Sequence, residues 1–122
     1  EKLLQQAEQE IAKFLEEIAL AEGVKISTKQ LARFEPVEFD PRVIDIIESI
    51  AKQHSNTVQR MPSGAGHDAQ MLARVCPSAM IFVPSVNGIS HNPAEHTDTD
   101  DLVAGANILL HTMLTLCATE IA

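Results

Sequence analysis

The chain has 122 residues, 45% apolar and 21% charged, which suits one ordinary domain or pieces of two and excludes a disordered chain. Nine Lys and Arg stand against seventeen Asp and Glu, a net charge of −8, and aromatics are 3% with no Trp or Tyr, so neither a phosphate-backbone binder nor a base-stacking surface is expected: no nucleic acid partner. The longest uninterrupted apolar run, Ala79–Val83, falls far short of a bilayer span, no basic-then-apolar leader opens the chain, and the first residue is Glu1, so the sequence reads as a processed or excerpted cytoplasmic protein with no membrane partner.

In chain order, Leu3, Leu4, Ala7, Ile11, Phe14, Leu15 and Ile18 recur at three- and four-residue spacing and predict an amphipathic helix over 2–22, with Gly23 as its C-terminal cap. Val24, Ile26 and Thr28 alternate with polar residues, a half-exposed strand within 24–34. Pro36 lies in a linker. Asp40-Pro41 then offers a capping residue and a first-turn proline to a helix over 41–54. A short strand is expected at 58–61, a small-residue loop at 61–68, a short helix through 69–74, and a buried parallel strand at 79–83 that Pro84 ends. Residues 85–99 read as a loop. The last helix, 100–119, is expected to turn Leu102, Val103, Ala106, Leu109, Leu110, Met113, Leu114 and Cys117 inward. This order is α/β. One strand beside one helix cannot make a stable sheet, because its edges stay unpaired; its sheet partners must come from other sequence.

All nine Lys and Arg lie within residues 1–74, whereas residues 75–122 hold five acids, Glu95, Asp98, Asp100, Asp101 and Glu120, with three histidines. Such a stretch suits a metal site, but for Asp98, Asp100 and Asp101 a place at a helix N-terminus, where the dipole favours acids, is the preferred reading. Cys76 and Cys117 read as reduced, buried thiols. Two loops could carry chemistry. Ser63-Gly-Ala-Gly-His-Asp68 places glycines where a backbone can approach an anion, but it lacks the lysine of a phosphate-binding loop. Gly88-Ile-Ser-His-Asn-Pro-Ala-Glu-His96 follows the expected buried strand, where α/β proteins place ligands. Neutral imidazole is a common metal ligand, and Glu95 could orient it. By spacing alone, His91 and His96 equally read as surface-loop histidines, His54 as a solvated helix-end residue and His111 as a core-edge residue. Neither Ser63 nor Ser90 stands in a nucleophile elbow, and Cys76 has no base beside it.

Taken together, Met61-Pro-Ser-Gly-Ala-Gly-His-Asp-Ala69, Ala79-Met-Ile-Phe-Val-Pro-Ser85, Gly88-Ile-Ser-His-Asn-Pro-Ala-Glu95, then Asp101 and Gly105, with Pro-Val-Glu-Phe-Asp at 36–40, resemble the zinc amidohydrolases that include N-carbamoyl-L-amino acid hydrolase, allantoate amidohydrolase and β-ureidopropionase, of the aminoacylase and carboxypeptidase type of di-zinc metallopeptidase. The resemblance covers only the C-terminal part of such an enzyme. It implies that residues 1–38 are the last helix and strand of a lid domain that also makes a homodimer contact, and that 39–122 close the catalytic α/β domain. It implies two zinc ions, or manganese, with His91 as the most C-terminal metal ligand. The other ligands and the general base lie upstream, so no catalytic residue falls in this stretch. Backbone groups at Gly64, Ala65 and Gly66 match the loop that approaches the carboxylate of a small ureido or amide substrate. His67, Asp68 and Glu95 match in supporting roles. With one of the three protein ligands that a catalytic zinc usually needs, the stretch alone is expected to be inactive. Two other readings stand beside this one: a catalytically silent interaction module, and a single zinc held by His67, His91 and His96.

Overall fold

The computed structural model describes residues 1–54 and 57–119; Glu120, counted above among the acids, lies outside them. The chain divides into two compact units, Glu1–Pro36 and Val37–Ala122.

The first unit is built on helix α1, Lys2–Glu22. Gly23 ends it in the left-handed region, φ 61°, with its N–H bonded to the Ala19 carbonyl, a conformation that glycine adopts without a side-chain penalty. The apolar spacing forms the expected helix, yet no α1 residue is buried. Ala12, Leu15, Glu16 and Ala19 line a shallow groove with Ile26 and Thr28, so the following segment uses one flank of the helix. Arg33 returns to the N-terminal half of α1, where its Nε donates to Glu8 Oε1 at 3.0 Å and its guanidinium also binds Glu1. Hydrogen bonding from Arg33 holds the Glu1 carboxyl below its ordinary value.

The second unit holds α2 (Pro41–His54), α3 (Asp68–Leu72), a 3₁₀ turn at Val86–Gly88, and α4 (Thr99–Ala118). Asp40 caps α2 as the sequence suggests: Oδ1 accepts the Arg42 backbone N–H at 2.8 Å, and Oδ2 lies 2.8 Å from Arg42 Nη2. Side-chain hydrogen bonding from Arg42 is the main reason that the Asp40 carboxyl falls from 3.8 to about 2. The Asp40 N–H donates to the Ser78 carbonyl at 3.0 Å, which ties the start of α2 to the segment leading into 79–83. Arg60 anchors residues near 60 to α2 through Asp45 (2.6 Å) and Glu48.

α2 packs on α4. The residues this unit buries are Val43 and Ala51 on α2, Ala69 on α3, and Ile108 and Thr112 on α4. Leu102, Val103, Leu109, Leu110, Met113 and Leu114 stay at least half exposed. That reverses the expected inward face of α4. The helix is apolar nearly all round, so periodicity could not select the stripe that α2 covers. By length and composition α4 could also cross a bilayer. Asn107, His111, Thr112 and Thr115 interrupt its apolar residues, so it contains no long uninterrupted apolar run.

Three further expectations change. Among the described residues there is no β-strand, so the strands expected at 24–34, 58–61 and 79–83, and with them the α/β architecture, are not realised within this chain. Strands exist by ladder hydrogen bonds, and these segments do not pair with one another. Cys76 and Cys117 are free thiols, as expected, but both are exposed rather than buried. The short helix starts at Asp68 and stops at Leu72.

Gly105 is where the segment 79–83 meets α4: a Cβ built there would lie 2.5 Å from Val83 Cγ1. Valine is stiff at χ1 and cannot swing clear cheaply. Gly105→Ala is expected to destabilise the chain by about 1 kcal/mol, overpacking outweighing better helix propensity. In a Val83→Ala background the same change should stabilise by a similar amount; urea denaturation of the four-variant cycle reads the reversal of sign. The Asp40 cap predicts a pH signature. Its carboxyl is depressed on folding, so its stabilisation is present above the unfolded value near 4 and is lost as pH falls toward 2. Denaturation midpoints of the native chain and Asp40→Asn should differ most at pH 5–7 and converge near pH 2.

Candidate functional site

The loop between residue 83 and α4 is closed at its base. The Val86 N–H donates to the His96 carbonyl at 2.8 Å, and Ser85 Oγ bonds the carbonyls of Ile89 and His96. Asn87 and Gly88 take successive left-handed conformations, φ 58° and 67°, and turn the chain back. His91 follows with φ 56°. Only a few per cent of non-glycine residues adopt this region, and histidine is among the types that do so more readily. Three hydrogen bonds hold this turn. The His91 N–H donates to Glu95 Oε2 at 2.7 Å, and Asn92 closes the turn by accepting the Ala94 N–H at 2.9 Å on Oδ1 and the Glu95 N–H at 2.9 Å on its carbonyl. Ser90 Oγ lies 2.7 Å from His91 Nδ1.

Glu95 therefore supports His91 through the backbone and not through the ring. The group that touches the imidazole is Ser90, which sequence reasoning had considered only as a nucleophile. Its adjacency to His91 was the only available signal, and adjacent side chains in a loop touch only when the backbone turns as it does here.

The other expected site residues sit apart from this pair. His96 Nε2 faces Asp98 Oδ1 at 3.6 Å, an exposed pair worth little to stability. Asp98 stands at the N-cap of α4, and Asp100 and Asp101 in its first turn, where the helix dipole favours them. His67 is the N-cap of α3: its Nδ1 accepts the Ala69 N–H at 3.0 Å, which uses the lone pair that a metal would need on that nitrogen. Asp68 opens the same helix. His54 and His111 stack on each other, ring centroids 5.3 Å apart. Among the described residues no three His, Cys, Asp or Glu side chains stand close enough to hold a metal ion, which overturns the single-zinc reading from His67, His91 and His96.

In the glycine loop, Ser63 Oγ bonds both the N–H and the carbonyl of Ala65, each at 3.3 Å. Gly64 and Gly66 have negative φ, and a Cβ on either would meet nothing within 4 Å. Among the described residues nothing requires glycine there, and Gly64, Ala65 and Gly66 are exposed.

The profile of Peptidase family M20/M25/M40 matches residues 5–115. The chain is 39% identical over 110 residues to the N-carbamoyl-L-amino acid amidohydrolase of Geobacillus stearothermophilus, covering 90% of this chain and 27% of that protein. It is 36% identical over 107 residues to the allantoate amidohydrolase of Bacillus subtilis, covering 88% of this chain and 26% of that protein. The crystal structure of an amidase of the hydantoinase/carbamoylase family from Burkholderia vietnamiensis superposes with a TM-score of 0.87 at 34% identity, over 93% of this chain and 28% of that one. The chain belongs to the M20/M25/M40 peptidase family. It spans about a quarter of the length of the relatives it matches.

The left-handed backbone at 91 predicts an unusual ranking of variants. A side chain in this region costs about 1 kcal/mol that glycine avoids. His91→Gly should therefore be more stable than His91→Ala by about that amount in urea denaturation, whereas at an ordinary loop position alanine is the equal or better of the two.

Proposed function

We propose that this chain is the C-terminal part of a metal-dependent amidohydrolase that cleaves a linear amide C–N bond in an N-carbamoyl amino acid, allantoate or a related ureido acid. The observation that carries the reading is the treatment of His91. Its backbone is held in a costly conformation by Glu95, one ring nitrogen is engaged by Ser90, and Nε2 has no partner among the described residues. A loop histidine held in that way is being presented to something outside this chain's own contacts.

The donor chemistry fits one arm of a zinc or manganese centre. A catalytic zinc takes three protein ligands, so the rest must come from outside the described residues. When bound, such a pair of ions lowers the pKa of a water and polarises the scissile carbonyl. In this reading His91 supplies Nε2, Glu95 keeps the His91 backbone in place, and His67 and Asp68 hold the start of α3 beside the glycine loop. The Gly64–Gly66 backbone receives the substrate's carboxylate, which explains two glycines that the fold itself does not require. Residues 1–38 close a lid domain that pairs with its counterpart in a homodimer, the general base lies upstream, and the enzyme works in the cytoplasm.

The test is hydrolysis of N-carbamoyl amino acids and of allantoate, with zinc or manganese added. The 122-residue chain should be inactive. A longer protein that includes the remaining ligands should turn over at least one of these substrates, lose activity to a chelator, and lose it on His91→Ala with the fold retained. A longer protein that has every ligand and shows no metal-dependent amide hydrolysis would contradict the proposal.

A further inference from the structure

Among the described residues, Ser90 is the one side chain with a hydrogen bond to the His91 ring, at 2.7 Å from Nδ1. A neutral imidazole carries its proton on one nitrogen and a lone pair on the other, and the partner of the first nitrogen decides what the second can do. A hydroxyl can either donate to Nδ1 or accept from it. If it donates, the ring proton sits on Nε2 and the outward nitrogen cannot ligate. If it accepts, the proton sits on Nδ1 and Nε2 presents its lone pair. Metal-bound histidines almost always donate their other N–H to a fixed acceptor, most often a carboxylate or a carbonyl. Glu95 accepts the His91 backbone N–H at 2.7 Å, whereas the group bonded to the ring is the Ser90 hydroxyl.

We infer that Ser90 is the positioning residue of His91: its Oγ accepts Nδ1–H, fixes the Nδ1-protonated tautomer and turns Nε2 outward as a ligand. The inference rests on the proposed function for the identity of the ligand and for the direction of the Ser90–His91 hydrogen bond, whereas the contact itself does not. It divides the local labour between two neighbours. Glu95 sets where the Cα of residue 91 lies, and Ser90 sets which nitrogen is available and how the ring is turned. Both are needed because the loop is exposed and no packing holds the ring.

The experiment measures zinc affinity by chelator competition in the longer protein, for the native sequence, Ser90→Ala and Ser90→Thr. Loss of the hydroxyl should weaken zinc binding about ten-fold or more, with an unchanged thermal melt of the metal-free protein. Threonine, which keeps the hydroxyl, should recover most of the loss. Equal zinc affinity in the native protein and Ser90→Ala overturns the inference while leaving the proposed function intact. If the native protein takes up no zinc, the proposed function fails, and the tautomer decides the inference by itself. In the 122-residue chain, with ¹⁵N-labelled histidine at a pH where the ring is neutral, a protonated Nδ1 at residue 91 that is lost in Ser90→Ala supports it. A bare Nδ1, or a tautomer that Ser90→Ala leaves unmoved, overturns it.

Discussion

The close approach of Val83 to Gly105 sets the geometry of everything that follows it in the chain. The segment 79–83 lies on α4 at the one position of that helix with no side chain, and a single added carbon there would meet Val83 Cγ1. Ser78 is fixed at the other end of the segment by the Asp40 N–H, just ahead of α2, and α2 in turn lies on α4. The chain therefore leaves this small core at Pro84 from a defined point. Ser85 and Val86 close the loop by bonding the His96 carbonyl, and α4 begins three residues later. Within that closed loop His91 is held by hydrogen bonds rather than by packing. Hydrogen bonds can define an exposed position only when the loop ends are themselves fixed, so the helix–segment contact and the site form one construction.

The second consequence concerns what this chain does not cover. α4 keeps six large apolar side chains at least half exposed, and α1 buries none of its residues. A helix that is apolar all round belongs in an interior. Exposure on this scale agrees with a chain that spans about a quarter of its relatives' length and whose extended segments find no ladder partner within the described residues. The same apolar character gives α4 the composition of a membrane span, a property that interior helices share.

How much could be read beforehand follows from the range of the forces involved. Helix positions were legible because capping and periodicity are local: α1, α2 and α4 fall where Gly23, Asp40-Pro41 and the acids at 98–101 place them. The buried face of α4 was not legible, since Leu102 and Ile108 look alike to a periodicity argument and only the position of α2 tells them apart. Strands were expected from alternation at 24–28 and from the run at 79–83, but a strand is a property of two segments, and alternation speaks for one. At the site, the expectation that His91 is a ligand came from a motif resemblance, and Glu95 was expected to orient its ring. The manner of that support, carboxylate to backbone N–H, needed the positive φ at residue 91. Ser90 was weighed only as a nucleophile because its contact with the His91 ring exists only once the backbone has turned, and the helix-capping use of the His67 ring, which was given a supporting part, is equally a product of the local backbone.

The family relationship places the chain among the M20/M25/M40 peptidases, and the geometry of the loop is what the proposed role of His91 rests on. The costly backbone at 91, the carboxylate spent on holding it and the unoccupied outer ring nitrogen all agree with a ligand presented to an ion whose other ligands lie elsewhere. The most direct test is a crystal structure of the longer protein with zinc. The account predicts His91 Nε2 at about 2.0–2.1 Å from an ion, with the 85–96 loop unchanged. A fully ligated zinc centre with the His91 ring turned away into solvent would contradict it.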